Sequence, residues 1–319
     1  MRVFDAHCDV LSKMFEQDVA FDDAAALDAA LPRLISGNVQ VQTFALFLPE
    51  EQSVPTFRKL IRLTDLFYER VASFPEIRVL RCREDLAALK KGEIGALLSL
   101  EGVGGLEGDF AYLRTLYRLG LRVVGLTWNF ANWAADGVRE TRQGGLTQKG
   151  RALIAECERL QLIVDVSHLT ERGFWEVAEL NARPFIASHS NVYELCAHPR
   201  NLNERQIKEI IRRDGRIGLT FVPYFLHESH QATIGTLLLH LDHICAMGGE
   251  HHVGFGSDFD GITEWTEGLR HAGDYQRLAN ALTKYFNQEQ VEAFLYGNWR
   301  RFYENNLPSC GDSANLSKN

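Results

Sequence analysis

Near the start of the chain, the stretch RVFDAHCDVL (residues 2–11) sets Asp5, His7 and Asp9 at alternating positions within an apolar run. Alternation along a strand puts the three side chains on one face, and charged groups on a buried strand must be paired or hold a metal. Residues of the same kind end other apolar runs: Glu101 in LSLEG, His168 in VDVSHL, His189 in IASHSN and Asp258 in GFGSDFDG. Singly, each has an ordinary reading, because a buried histidine is often a satisfied core residue and a strand-end acid often caps the next helix. Together they suit two Zn²⁺ ions that share a bridging carboxylate and a bridging hydroxide. Such paired ions sit roughly 3.5–4 Å apart and lower the pKa of water enough to supply a nucleophile at neutral pH.

For these residues to meet, the strands that carry them must end at one place. Eight β-like runs are recognisable, at residues 2–9, 39–47, 95–102, 121–129, 162–168, 185–190, 216–222 and 252–261. Segments of helical periodicity lie between most of them, for example 110–120, 147–161 and 203–215. Thr147 and Asn203 suit helix N-caps, and Gly120 and Gly215 stand where helices should stop. Eight strands alternating with helices predict a (β/α)8 TIM barrel, a single catalytic domain over residues 1–306. In that fold chemistry gathers at the C-terminal ends of the strands, which is where the candidate residues fall. A doubly wound open sheet fits less well, since no G-x-G-x-x-G follows the first strand. Residues 307–319, LPSCGDSANLSKN, read as a loose C-terminal tail.

With 319 residues and 45% hydrophobic content the chain can bury a large core. A net charge of −8, with Lys and Arg scattered among acids, argues against nucleic acid as partner and for a small molecule or peptide. The six cysteines show no C-x-x-C pair and read as free thiols. No apolar run reaches 18 residues and no basic segment precedes an apolar one at the start, so a cytoplasmic protein without a membrane anchor is expected. The remaining histidines, His240 and His243 in LLLHLDHI among them, are assigned structural or exposed roles.

The chain also resembles the membrane (renal-type) dipeptidases, the M19 metallopeptidases of the amidohydrolase-like zinc hydrolases. The likeness runs through DAHCD, SLEG, YLRTLYRLGLR, IVDVSH, SHSNVYELCAHPRN, HLDHI and VGFGSDFDG, over nearly the whole chain. It implies that His7 and Asp9 hold one zinc, His168 and His189 the other, and Glu101 bridges them. Asp258 would move the proton from the attacking water to the leaving amine, as a general base and acid should. Its other readings are a third ligand or a structural acceptor. Arg200, in AHPRN, matches the arginine that binds the C-terminal carboxylate of the dipeptide, a role suited to its forked guanidinium. Tyr224 is a candidate pocket wall. The activity implied is hydrolysis of free dipeptides, L-D as well as L-L, by a metal-bridging hydroxide, with a homodimer as the expected assembly.

One position departs from the family pattern. Where many members carry a histidine after the fourth strand, this chain reads LTWN, placing Trp128 there with Asn129 beside it. A lost oxyanion donor can cost about 10²–10³ in turnover; the Trp128 indole N–H or the Asn129 amide would have to replace it, or Trp128 simply narrows the pocket. Related barrels that act on lactones, phosphoesters or other amides usually open with H-x-H and use a carboxylated lysine, whereas this chain has His7-x-Asp9 and Glu101. A catalytically silent binding protein is the third reading, suggested by Trp128 alone.

Overall fold

All six residues of the first strand, β1 (Val3–Cys8), are buried, the continuous burial required of a parallel strand covered on both faces. The computed structural model describes residues 1–49 and 54–312. The other strands are β2 (Val39–Phe47), β3 (Ile77–Val79), β4 (Ile94–Glu101), β5 (Leu121–Gly125), β6 (Ile163–Asp165), β7 (Ile186–Ala187), β8 (Arg216–Leu219) and β9 (Val253–Phe255). Their order is β2-β1-β9-β8-β7-β6-β5-β4, and pairing of β2 with β4 closes an eight-stranded parallel barrel, as expected. β3 stands outside the ring. It pairs with the first residues of β4, Ile77 opposite Ile94 through Val79 opposite Ala96, and β5 takes over from Leu98 onward. Three residues with one of them buried left too short a pattern to mark β3 in the sequence.

Several ladders end earlier than the apolar runs suggested. β6, β7 and β9 stop at Asp165, Ala187 and Phe255, so His168, His189 and Asp258 lie in the turns beyond them. His168 and Asp258 take left-handed backbone, with φ of 67° and 68°, which ends a ladder because the residue can no longer present both polar groups to its neighbours. Sparsely populated backbone of this kind gathers at functional sites.

The helices begin as the caps predicted: the Thr147 hydroxyl accepts from Gly150 N, and Asn203 forms a reciprocal capping box with Gln206. Gly120 turns left-handed (φ 106°), whereas at the end of the helix Glu204–Arg212 it is Asp214 that does so (φ 56°) and not Gly215. The main core lies between the strands and the surrounding helices. A second cluster of Phe4, Leu97, Val123 and Ile163 with Trp299 and Tyr303 fills the end of the barrel where the strands begin, and Tyr303 of the helix Asn298–Asn306 stacks on Phe4 at 5.1 Å. That apolar plug leaves the opposite end for the polar residues.

The start of the predicted tail is tied down. Leu307 is buried, Arg83 N donates to Pro308 O, and Cys310 N donates to Glu84. Cys82 and Cys310 form a disulfide, correcting the reading of six free thiols; cysteines 228 residues apart leave no spacing signal. Cys8, Cys157, Cys196 and Cys245 are free. Residues 313–319 lie outside those described.

Candidate metal centre and barrel mouth

Asp9 occupies the N-cap of the helix Val10–Gln17 but makes no capping hydrogen bond with its side chain. A capping aspartate commonly contributes about 1 kcal/mol; here the carboxylate turns to His7 instead, with Oδ2 3.4 Å from His7 Nε2. Glu101, the last residue of β4, faces both ways. Its Oε2 lies 3.3 Å from His7 Nε2, and its Oε1 lies 2.9 Å from His168 Nε2 and 3.7 Å from His189 Nε2. The His7 and His189 rings stack at 3.9 Å. Donor atoms of His7, Glu101 and His189 cluster within one ion's reach, and so do those of His7, Asp9 and Asp258. His7, Asp9, Glu101, His168 and His189 thus converge as the sequence predicted, all buried.

The donor set fits divalent cations on its own chemistry. Asn129 Oδ1 can only accept, so at 3.2 Å it takes the proton of His168 Nδ1 and leaves Nε2 a lone pair. That lone pair faces Glu101 Oε1 at 2.9 Å and His189 Nε2 at 2.9 Å, acceptors against an acceptor unless a cation lies among them. His7 Nε2 and Asp9 Oδ1 are buried without a hydrogen-bond partner among the described residues, which an interior tolerates poorly.

The charges sort the centre into two characters. Burial, aided by the Arg200 guanidinium, lowers the pKa of His168 to about 4 and holds His189 well below the imidazole range. Burial opposes charging of His7 too, yet the Glu101 and Asp9 carboxylates outweigh it and hold its pKa well above the usual value. Glu101, although buried, is held well below the carboxylate range by His7 and His168. Asp258 is pushed up to about 8, first by burial and then by Asp9; its Oδ1 lies 3.8 Å from His7 Nε2. Next to it only glycine fits: a Cβ at Gly261 would come within 2.2 Å of Asp9 Oδ2 and 2.7 Å of Asp258 Oδ1.

Arg200 reaches the mouth from the loop after β7. Its Nη2 donates to His189 O at 3.1 Å, and its guanidinium lies over the Phe225 ring. A cavity of about 310 Å³ adjoins it and His168, with Val138, Ser190 and Gln206 on its walls. Tyr224, in the short helix Pro223–Leu226, has its hydroxyl pKa raised by burial and then by the Asp258 carboxylate. Trp128 is half-buried between Phe47 (5.1 Å) and His168 (6.3 Å), and its indole N–H makes no hydrogen bond among the described residues. Asn129, beside Trp128, directs its carbonyl to His168.

Of the residues behind the candidate ligands, Asp5 was marked in the sequence without its partner, and Asp165, Ser188 and Ser257 went unread. Asp5 shares its face with His7 but accepts from Ser257 and His7 N, and Asp165 holds Ser167 and Ser188 in the same way. The D-x-[SH] spacing ahead of each ligand pair, with a serine one residue before the neighbouring strand's functional group, is the signal that could have found them.

The family described as membrane dipeptidase (peptidase family M19) matches residues 1–307. A crystal structure of a metallo peptidase from Rhodobacter sphaeroides, bound to a phosphinate mimic of the dipeptide L-Ala-D-Ala, superposes with a TM-score of 0.88 at 26% identity, covering 96% of this chain and 99% of that one. The structure of dipeptidase AC, a metallo peptidase of family M19, gives 0.89 at 27% identity over 97% of this chain and 99% of that one. An uncharacterized Klebsiella pneumoniae protein from the pqqA 5' region is 35% identical over 236 residues, 70% of this chain and 84% of its own length. No helix among the described residues is long and apolar enough to cross a membrane.

Proposed function

This chain belongs to the membrane dipeptidase family, peptidase family M19, and on that premise we propose that it hydrolyses free dipeptides at a pair of zinc ions held by His7, Asp9, Glu101, His168 and His189. The observation that carries the dinuclear reading is Glu101, whose two oxygens divide between His7 on one side and His168 with His189 on the other. When bound, the ions supply Lewis acidity toward the scissile carbonyl and lower the pKa of water. His7 and Asp9 hold one cation position, His168 and His189 the other, and Asn129 fixes the ring of His168. Asp258, whose Oδ1 lies 3.8 Å from His7 Nε2, takes a proton from the attacking water and returns it to the leaving amine. Arg200 pairs with the C-terminal carboxylate of the dipeptide, and Tyr224 bounds the space between Arg200 and Asp258.

Activity on L-D as well as L-L dipeptides is part of the proposal, supported by the relative that binds the L-Ala-D-Ala mimic. Trp128 narrows the mouth beside His168 and restricts the side chains accepted next to the scissile bond. The test is a panel of L-L and L-D dipeptides and their C-terminal amides, assayed with metal-loaded and metal-stripped protein. Turnover of dipeptides that vanishes on stripping and is poor on the amides is the expected result. Turnover of lactones or phosphoesters in place of dipeptides, or none at all, would refute it.

A further inference from the structure

Two aspartates staple neighbouring strands at the mouth in the same manner, and one of the staples continues into a ligand ring. Asp165 Oδ1 accepts from Ser167 N and Ser188 N, both at 3.0 Å, and its Oδ2 accepts from the Ser188 hydroxyl at 2.5 Å. That hydroxyl has one proton, and the aspartate takes it. Only lone pairs remain on Ser188 Oγ to face His189 Nδ1, 2.7 Å away. His189 Nδ1 must therefore carry the ring proton, and Nε2 is bare. All three side chains are buried, so water does not compete for these bonds.

Across the barrel, Asp5 Oδ1 accepts from Ser257 N (2.9 Å) and Asp5 Oδ2 from Ser257 Oγ (2.6 Å). That hydroxyl also meets the main-chain atoms His7 O and Phe259 N, both at 3.2 Å, and lies beside the Tyr275 hydroxyl. The staple is the same, but it touches no imidazole.

We propose that Asp165 and Ser188 form a relay of positioning residues that fixes His189 as the Nδ1–H tautomer and so keeps Nε2 ready to bind a metal. The inference rests on the reading of His189 as a ligand. Outer partners of this kind typically carry 10–100-fold in metal affinity.

The relay has a direction, and an isosteric change reverses it. In Asp165→Asn the amide oxygen still accepts from the two backbone N–H groups, while Nδ2 donates to Ser188 Oγ. The serine proton then turns to His189 Nδ1 and places the ring proton on Nε2, the wrong tautomer for a ligand.

Zinc affinity of the full chain, measured by competition with a chromophoric chelator beside thermal melting, tests this. Ser188→Ala should weaken zinc binding by about 10–100-fold, Asp165→Asn at least as much, and Ser188→Thr by less than about 3-fold. Ser257→Ala should lower the melting temperature while leaving zinc affinity within about 3-fold, since its hydroxyl meets no ring. Wild-type affinity in both Ser188→Ala and Asp165→Asn overturns the relay. Should those variants fail to fold, long-range ¹H–¹⁵N NMR of the metal-stripped wild type decides: a proton on His189 Nδ1 supports the relay, and one on Nε2 overturns it. His189→Ala separates the two claims. If it keeps zinc at wild-type affinity, the ligand reading itself fails; if it loses zinc while the Ser188 and Asp165 variants do not, only the relay fails.

Discussion

On one side of Glu101, His7 meets Asp9 and Asp258: burial first, then the neighbouring carboxylates, raises the pKa values of Asp9 and Asp258, and the carboxylates of Glu101 and Asp9 raise that of His7 against its burial. On the other side, His168 and His189 lie beside Arg200 and are held neutral, each with a partner at Nδ1. Both sides rest on an Asp–Ser staple of similar geometry, so the backbone support is shared and the electrostatics are not. The contrast teaches a division of labour. On the proposed function, the carboxylate side would move protons through Asp258, whereas the imidazole side would offer lone pairs to a metal, with Arg200 beside it for an anionic substrate group.

The largest effects should come from breaking each side at its own function. His168→Ala should lose metal and with it activity, while Asp258→Asn should keep its metal and still lose at least about 10²-fold in kcat, because general acid–base groups contribute roughly 10²–10⁴. Metal analysis beside single-substrate kinetics reads both. An Asp258→Asn protein that folds but has an emptied metal position would move Asp258 into the ligand set and erase the division.

Arg200 sharpens the comparison from the imidazole side. Removal of a charge-assisted bond worth about 1.5–3 kcal/mol predicts a loss of roughly 10–10²-fold in kcat/KM for free dipeptides in Arg200→Ala. The already poor reaction of C-terminal amides should barely change. Equal losses on acid and amide would contradict carboxylate recognition.

Trp128 should act more mildly, through shape. Trp128→His should broaden the substrate range and raise kcat on dipeptides with bulky groups beside the scissile bond. Trp128→Phe keeps the bulk and removes the N–H, so unchanged kcat/KM there would reject the indole as a donor and leave the steric role.

The smallest effect concerns the brace behind the Arg200 loop. His240 Nδ1 accepts from Val192 N and its Nε2 donates to Leu226 O, tying the loop that carries Arg200 to the helix that carries Tyr224. Burial lowers its pKa to about 4. The unfolded chain binds that proton near 6.5, so the native state binds fewer protons between those values. Its contribution is present above about pH 6.5 and is lost as pH falls toward 4, by up to about 3 kcal/mol. Denaturant melts of His240→Gln against wild type should show a shallower loss over that window; parallel curves would contradict the assignment.

Much of this was legible in the sequence, for definable reasons. Strand-end His and Glu residues mark the mouth of a parallel barrel because the fold leaves them nowhere else to go, and eight apolar runs gave the ring that closes. β3 escaped because three residues, one of them buried, carry no periodicity. The disulfide escaped because its partners are far apart in sequence. Asn129 was placed at the site, but its bond to His168 went unread, since only the turn after β5 brings its carbonyl to that ring. The serines at 188 and 257 were invisible for the same reason: a serine beside a histidine is common, and its proton acquires a direction only when Asp165 or Asp5 arrives from another strand.

Metal content per chain, measured in the same preparation as dipeptide turnover, decides whether the site works with a pair of ions. Close to two divalent ions per active chain are expected, with turnover abolished by chelation and recovered when Zn²⁺ is restored. Full turnover in protein that holds at most one ion would contradict it.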